Sequence, residues 1–257
     1  MVVVAALGGG CKATAPGKLS AVQPTSDAPR AGNAYLLRGF IGVFSQGIDQ
    51  LTAKINESGV RANVYQDDQW AVLADTICQK YKTEPNHEPI ILVGHSYGAD
   101  DVVRIARKLA DDNVTVDMLI TIDPVTPPKV PGNVKTCINI YQSNGAMDAL
   151  PWLRGVPLQA EQPGPAKLLN VNIREDRTDL LEPGTDHFNI EKKAKIHSEV
   201  VKQVLAACPP RATWVAQIAG KSTSVASASV KAPVDAKPAP ARPGAMSNGG
   251  VDRRESN

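Results

Sequence analysis

The sequence predicts an α/β protein built on a mostly parallel sheet, with helices on both faces and no separate cap domain. Short strand-like apolar segments alternate with helix-like segments along the middle of the chain. Residues 90–93 are apolar at every position, which is typical of a strand covered on both sides. The composition is 42% hydrophobic and 21% charged, so most of the 257 residues should fold.

The predicted elements succeed one another in a regular order. Strands are expected at residues 34–37, 61–65, 90–93, 116–122, 137–141 and 171–173. Apolar side chains three or four positions apart predict helices at residues 48–55, 70–81, 102–110 and 200–205. Right-handed crossovers would bring the carboxyl ends of the strands to one edge of the sheet, where active sites of such proteins gather.

Composition divides the chain into three parts. Residues 1–33 read as a truncated export signal followed by a flexible linker, residues 34–208 as the folded domain, and residues 209–257 as a Pro/Ala/Ser-rich tail that is mostly disordered. The tail carries a net charge of +4. Since the whole chain carries +2, residues 1–208 carry −2. With no basic excess on the domain and 4% aromatic residues, the sequence argues against nucleic acid as a partner.

The N-terminus resembles the end of a bacterial lipoprotein signal. An apolar stretch, Met1 to Leu7, leads through three glycines to Cys11, the residue that would carry the lipid. We therefore expect an exported, periplasmic or envelope-anchored protein with a lipid anchor at Cys11. The signal lacks a Lys/Arg-rich beginning, which leaves a cytoplasmic protein as the alternative.

The other three cysteines, Cys78, Cys137 and Cys208, have no C-x-x-C spacing, so no zinc site is expected. If Cys11 carries a lipid, at most one disulfide can form among them. The pairing is not predictable from the sequence.

The strongest motif is residues 94–98, Gly-His-Ser-Tyr-Gly, which match G-x-S-x-G. The motif directly follows an apolar strand and directly precedes a helix, the setting that this motif requires. Glycines at both ends let the strand and the helix approach closely, and the sharp turn exposes the hydroxyl of Ser96. The motif predicts that Ser96 is a nucleophile; the alternative is a Gly-rich turn with an idle serine.

On these residues the chain resembles lipase/esterase-type α/β-hydrolases over positions 34–208. Residues 35–40 and 122–125 further resemble segments of poorly characterised small bacterial serine hydrolases. The resemblance implies a catalytic triad in the chain order serine, acid, histidine.

The chain order selects one histidine as the base of the triad but leaves two candidates for the acid. His187, in a loop before the closing helix, is the expected base, whereas His197 shares a face with packed apolar side chains. Asp123, at the end of a predicted strand, is the favoured acid; Asp148, after the next strand, is the main alternative. Asp186 adjoins the histidine too closely to orient it.

The resemblance also implies an oxyanion hole made of the backbone N–H groups of Phe40 and Tyr97. Related enzymes often have His-Gly where this chain has Arg38 and a glycine, so Arg38 either binds a substrate carboxylate or ties the loop down. We expect no cofactor and no metal.

The function predicted from these features is hydrolysis of small-molecule acyl esters or thioesters through an acyl-serine intermediate. Acyl transfer with the same triad is one alternative, and a non-catalytic binding protein of the same fold is another. Residues 143–170 form the only sizeable insertion that could cover the site.

Overall fold

The computed structural model describes residues 15–39, 46–143 and 155–229, with side chains up to residue 220. Six strands and five α-helices lie in these ranges: β1 Asn33–Leu37, α1 Gln46–Glu57, β2 Arg61–Tyr65, α2 Trp70–Tyr81, β3 Ile90–His95, α3 Tyr97–Asp111, β4 Val116–Ile122, β5 Val134–Tyr141, β6 Lys167–Asn172, α4 Ala194–Ala207 and α5 Arg211–Ser229. Each strand and helix predicted from the sequence is present; β2, α2 and β4 have the predicted ends, and the ends of the others are shifted.

The strands form one sheet in the order β2-β1-β3-β4-β5-β6. Each neighbouring pair is parallel, so the carboxyl ends of the strands share one edge. We call this the carboxyl edge, and the opposite one the amino edge. The turn that contains Ser96 leaves the carboxyl edge near the middle of the sheet.

Successive strand side chains point to opposite faces, and this alternation divides the apolar core into two halves. In β1, Tyr35 and Leu37 pack in the half that contains α2 and α3. Ala34 and Leu36 pack in the half that contains α1 and α4. Helices therefore cover both faces, and the predicted fold class is confirmed.

Contacts with the sheet extend beyond the predicted domain limits of 34 and 208. On the N-terminal side, Val22 is fully buried, and Ser26 donates its backbone N–H to the buried carboxylate of Glu88 at 2.6 Å. On the C-terminal side, α5 begins at Arg211, whose guanidinium pairs with Glu88 at 2.9 Å. Because the buried Glu88 requires these partners, the segments that supply them are held to the domain.

The chain divides into two units, residues 1–218 and 219–257, and the sheet with helices α1–α4 belongs to the first. In the second unit the structure describes the end of α5, where the sequence predicts a mostly disordered tail. Among the described residues, no helix is both long and apolar enough to cross a membrane.

The lipid anchor predicted at Cys11 lies outside the described residues and stays a prediction. The other three cysteines, Cys78, Cys137 and Cys208, are buried free thiols.

Candidate active site

Ser96 lies in a strained turn between β3 and α3. Its φ of 57° and ψ of −126° are rare for a residue with a side chain. A Cβ on Gly94 would overlap the carbonyl of Gly98, and a Cβ on Gly98 would overlap the carbonyl of Arg38. The two glycines of the motif are therefore required for the close approach of β3, α3 and the end of β1.

The Ser96 hydroxyl meets the imidazole of His187. The distance from Ser96 Oγ to His187 Nε2 is 2.9 Å, and both residues are buried. His187 comes from the loop between β6 and α4, beyond the carboxyl edge. A base at this distance can accept the hydroxyl proton, which makes the oxygen a nucleophile.

The second ring nitrogen of His187 meets the acid that the sequence favours. Asp123 directly follows β4, is fully buried, and its Oδ2 lies 2.9 Å from His187 Nδ1. Since an ionised carboxylate only accepts, Nδ1 carries the proton and Nε2 is left to face the serine. The other oxygen, Oδ1, accepts the backbone N–H of Gln142 at 2.8 Å.

The environment of Asp123 acts on its charge in two directions. Burial raises the pKa of its carboxyl, while the hydrogen bond from His187 and that from Gln142 lower it. The backbone of Asp123 has a φ of 50°, a second strained position on the carboxyl edge. A Cβ on Gly155 would overlap Asp123 Oδ1, so only glycine fits beside the acid.

The sheet order, the strained serine turn and the Ser–His–Asp chain together decide the fold. The chain has an α/β-hydrolase fold. Neither the family models nor the curated proteins contain a match to the sequence.

Several solved structures are similar to this chain at low sequence identity. One is the thioesterase domain of NocB from the nocardicin cluster, with 14% identity, 67% of this chain and 93% of that chain covered, and a TM-score of 0.41. A protein from Xanthomonas campestris pv. campestris, described as a putative hydrolase of the alpha/beta superfamily, has 15% identity and a TM-score of 0.36. The match covers 67% of this chain and 99% of that chain. A cutinase-like protein from Cryptococcus sp. has 15% identity, coverage of 69% and 95%, and a TM-score of 0.37. These TM-scores lie below 0.5, so the fold assignment rests on this chain's own geometry.

The rival candidates lie elsewhere or outside the described residues. His197 is buried in α4, where Nε2 bonds the carbonyl of Glu191 at 2.5 Å, as expected for a packed histidine. Asp186 is exposed, and its Oδ1 accepts the backbone N–H of Phe188. Asp148, the alternative acid, lies outside the described residues.

The predicted oxyanion hole is described in part. Tyr97 is the first residue of α3, so its backbone N–H lies at the positive end of the helix, beside the serine. Phe40 lies outside the described residues. Its donation, like that of Tyr97, stays a prediction. Arg38 forms a buried ion pair with Asp49 of α1 at 2.7 Å, which agrees with the alternative in which it ties the loop down.

The sequence analysis missed two buried residues that brace the site. Asp100, in the first turn of α3, accepts the backbone N–H groups of Val125 and Thr126 at 3.0 and 2.8 Å, which fixes the turn after Asp123. His95 Nε2 donates to the carbonyl of His187 at 2.9 Å. Burial, followed by the neighbouring His187, lowers the pKa of His95 to about 3, so its ring is neutral.

The sequence offers only weak signals for these braces: an acidic residue in the first turn after the motif, and the histidine within it. Within the described ranges no group of three or more potential ligands is placed to bind a metal ion.

Proposed function

We propose that this protein is a serine hydrolase that cleaves carboxylic esters or thioesters through an acyl-serine intermediate. One observation carries the proposal. Ser96 Oγ, His187 and Asp123 form a continuous, buried hydrogen-bonded chain with two links of 2.9 Å, and the serine lies on a strained turn between β3 and α3. A packed core has no need of this combination of strain, burial and alignment.

The chemistry follows from the positions of the protons. His187 Nε2 takes the proton of Ser96 as Oγ attacks the acyl carbon, and Asp123 stabilises the imidazolium that forms. His187 then gives the proton to the departing alcohol or thiol, and an acyl ester remains on Ser96. Water, deprotonated by the same imidazole, attacks this ester, and the acid is released with the serine restored.

The backbone N–H groups of Tyr97 and Phe40 would bind the oxyanion in both steps. In the alternative of acyl transfer, an alcohol or amine would replace water in the second step.

The test is turnover of p-nitrophenyl acetate, butyrate and octanoate, and of the thioesters with the same acyl groups. We expect turnover of at least one series, and a loss of about 10³-fold or more in Ser96→Ala, because members of a triad act as a unit. Ser198→Ala is the matched control, since that hydroxyl lies on the exposed side of α4 and donates to the carbonyl of Ala194. Equal activity of Ser96→Ala and wild type would contradict the proposal.

A further inference from the structure

The base and the acid of the site stand on different parts of the chain, and something must hold them in register. Asp123 follows β4, whereas His187 lies in a loop beyond β6, with β5 and β6 between them in the sheet. The regular backbone hydrogen bonds of the sheet do not reach the loop that contains His187. The alignment of the loop therefore depends on side chains along the carboxyl edge.

A series of hydrogen bonds connects Asp123 to the loop of His187 through residues that follow β5 and β6. Gln142, after β5, donates its backbone N–H to Asp123 Oδ1 at 2.8 Å. Its side-chain Oε1 accepts a hydrogen bond of 2.7 Å from Arg174 Nη2, after β6. The same Nη2 donates to the carbonyl of Thr185, two residues before His187, at 3.0 Å.

We propose that Arg174 is a positioning residue, which holds the loop of His187 in register with Asp123 through its bonds to Thr185 and Gln142. The proposal rests on the proposed function, because it assigns Arg174 a role in the same triad. Arg174 acts through these two residues rather than on the reacting atoms. Its half-buried guanidinium makes both hydrogen bonds charge-assisted, which strengthens them and fixes their geometry.

The charge of Arg174 has a second, smaller influence on the acid. Burial raises the pKa of Asp123; His187 and the backbone of Gln142 oppose this, and the positive charge of Arg174 adds to their effect. The effect of the charge can therefore be distinguished by comparing a variant that keeps the positive charge at position 174 with one that removes it.

The test compares Arg174→Met, which removes the donors and the charge, with Arg174→Lys, which keeps one charged nitrogen. Misplacement of a catalytic group by about 1 Å costs about 100-fold in rate. We expect Arg174→Met to lower kcat by about 10- to 100-fold with KM within about threefold, and Arg174→Lys to recover part of the loss. Arg177→Met is the matched control, since this half-exposed arginine pairs with Asp179 and Glu199 instead of with groups of the site.

A second readout does not depend on turnover. The proton on His187 Nδ1, bound to Asp123, should give a downfield NMR resonance in the wild type and in Arg177→Met. It should shift or broaden in Arg174→Met. An unchanged resonance together with kcat within about threefold of wild type would overturn the proposal.

If Arg174→Met does not fold, Gln142→Leu replaces it, because it deletes the acceptor Oε1 and keeps the backbone N–H. The same change in the resonance is expected there, and its absence would overturn the proposal. Absence of Ser96-dependent turnover in the wild type would count against the proposed function, and the NMR comparison would still decide the role of Arg174.

Discussion

A fully buried glutamate lies at or near each edge of the sheet, and the two glutamates differ in their hydrogen-bond partners. Glu88, at the amino edge, accepts hydrogen bonds from Ser26 and Gly32 and pairs with Arg211. Glu191, near the carboxyl edge, makes no hydrogen bond of good geometry through either side-chain oxygen in the described part of the chain. Burial raises the pKa of its carboxyl, and Lys192 and the backbone N–H of Gly47 partly oppose this. Its nearest cationic atom is Lys192 Nζ at 3.7 Å, and Nε2 of the neutral His95 ring lies 4.0 Å away.

Backbone strain, seen as positive φ angles, also differs between the two edges. Two of the three non-glycine residues with positive φ, among those described, are Ser96 and Asp123 on the carboxyl edge. At the amino edge, Glu88 instead holds together residues far apart in sequence through a fully partnered carboxylate. The comparison teaches that the Glu88 cluster supplies stability, which offsets the backbone strain at Ser96 and Asp123 and the burial of Glu191 near the carboxyl edge.

The largest expected effect is on activity, at the carboxyl edge. Asp123→Asn should lower kcat by about 10³- to 10⁴-fold and leave the fold intact, because an amide cannot hold His187 in the required tautomer. Steady-state ester turnover with circular dichroism checks this. Asp186→Asn, next to the same histidine but exposed, is the control with near-normal turnover. A strong loss in Asp148→Asn with a mild one in Asp123→Asn would transfer the role to Asp148.

The next effect is on stability, at the amino edge. Glu88→Ala should lower the free energy of unfolding by about 3–5 kcal/mol, because it leaves the charge of Arg211 and two backbone donors without their partner. Urea denaturation measures this loss. Below the unfolding transition, kcat should stay close to that of the wild type. A large drop in kcat with little loss of stability would contradict the division of roles between the edges.

The smallest effect is the pH dependence due to Glu191. Burial raises the pKa of its carboxyl to about 7, above its ordinary 4.5. The folded state therefore keeps the proton to higher pH than the unfolded state. The stabilisation is fully present below pH about 4.5 and is lost as the pH rises to about 7, at most about 3 kcal/mol.

Glu191→Gln removes this titration. The variant should gain stability relative to wild type between pH 5 and pH 8, as measured by urea denaturation at both values. Glu175→Gln, at an exposed position, is the control and should follow the wild type. A constant difference between Glu191→Gln and wild type at the two pH values would show that the buried carboxyl does not titrate in this range.

The sequence predicted the parts of the molecule that depend on local patterns. The apolar run 90–93, the motif around Ser96 and the order of Asp123 and His187 each follow from neighbouring residues or from chain order. Arg174 offered no such signal, because its partners Gln142 and Thr185 become neighbours only in the folded sheet.

Contacts across the predicted domain limits of 34 and 208 were not visible in the sequence either, because they join residues that meet only in the folded chain. Composition marks residues 12–33 as a flexible linker and residues 209–257 as a Pro/Ala/Ser-rich, mostly disordered tail. The buried carboxylate that binds both segments, Glu88, lies far from each of them in the sequence.

The central claim is that Ser96 is a nucleophile activated by His187, and covalent labelling tests it most directly. A fluorophosphonate reacts with an activated serine in the folded enzyme, and peptide mapping by mass spectrometry locates the label. We expect a single label on Ser96 in the wild type and in Ser198→Ala, labelling about 100-fold slower or more in His187→Ala, and none after denaturation. A folded wild type that takes up no label, or takes it up on another residue, would contradict the claim.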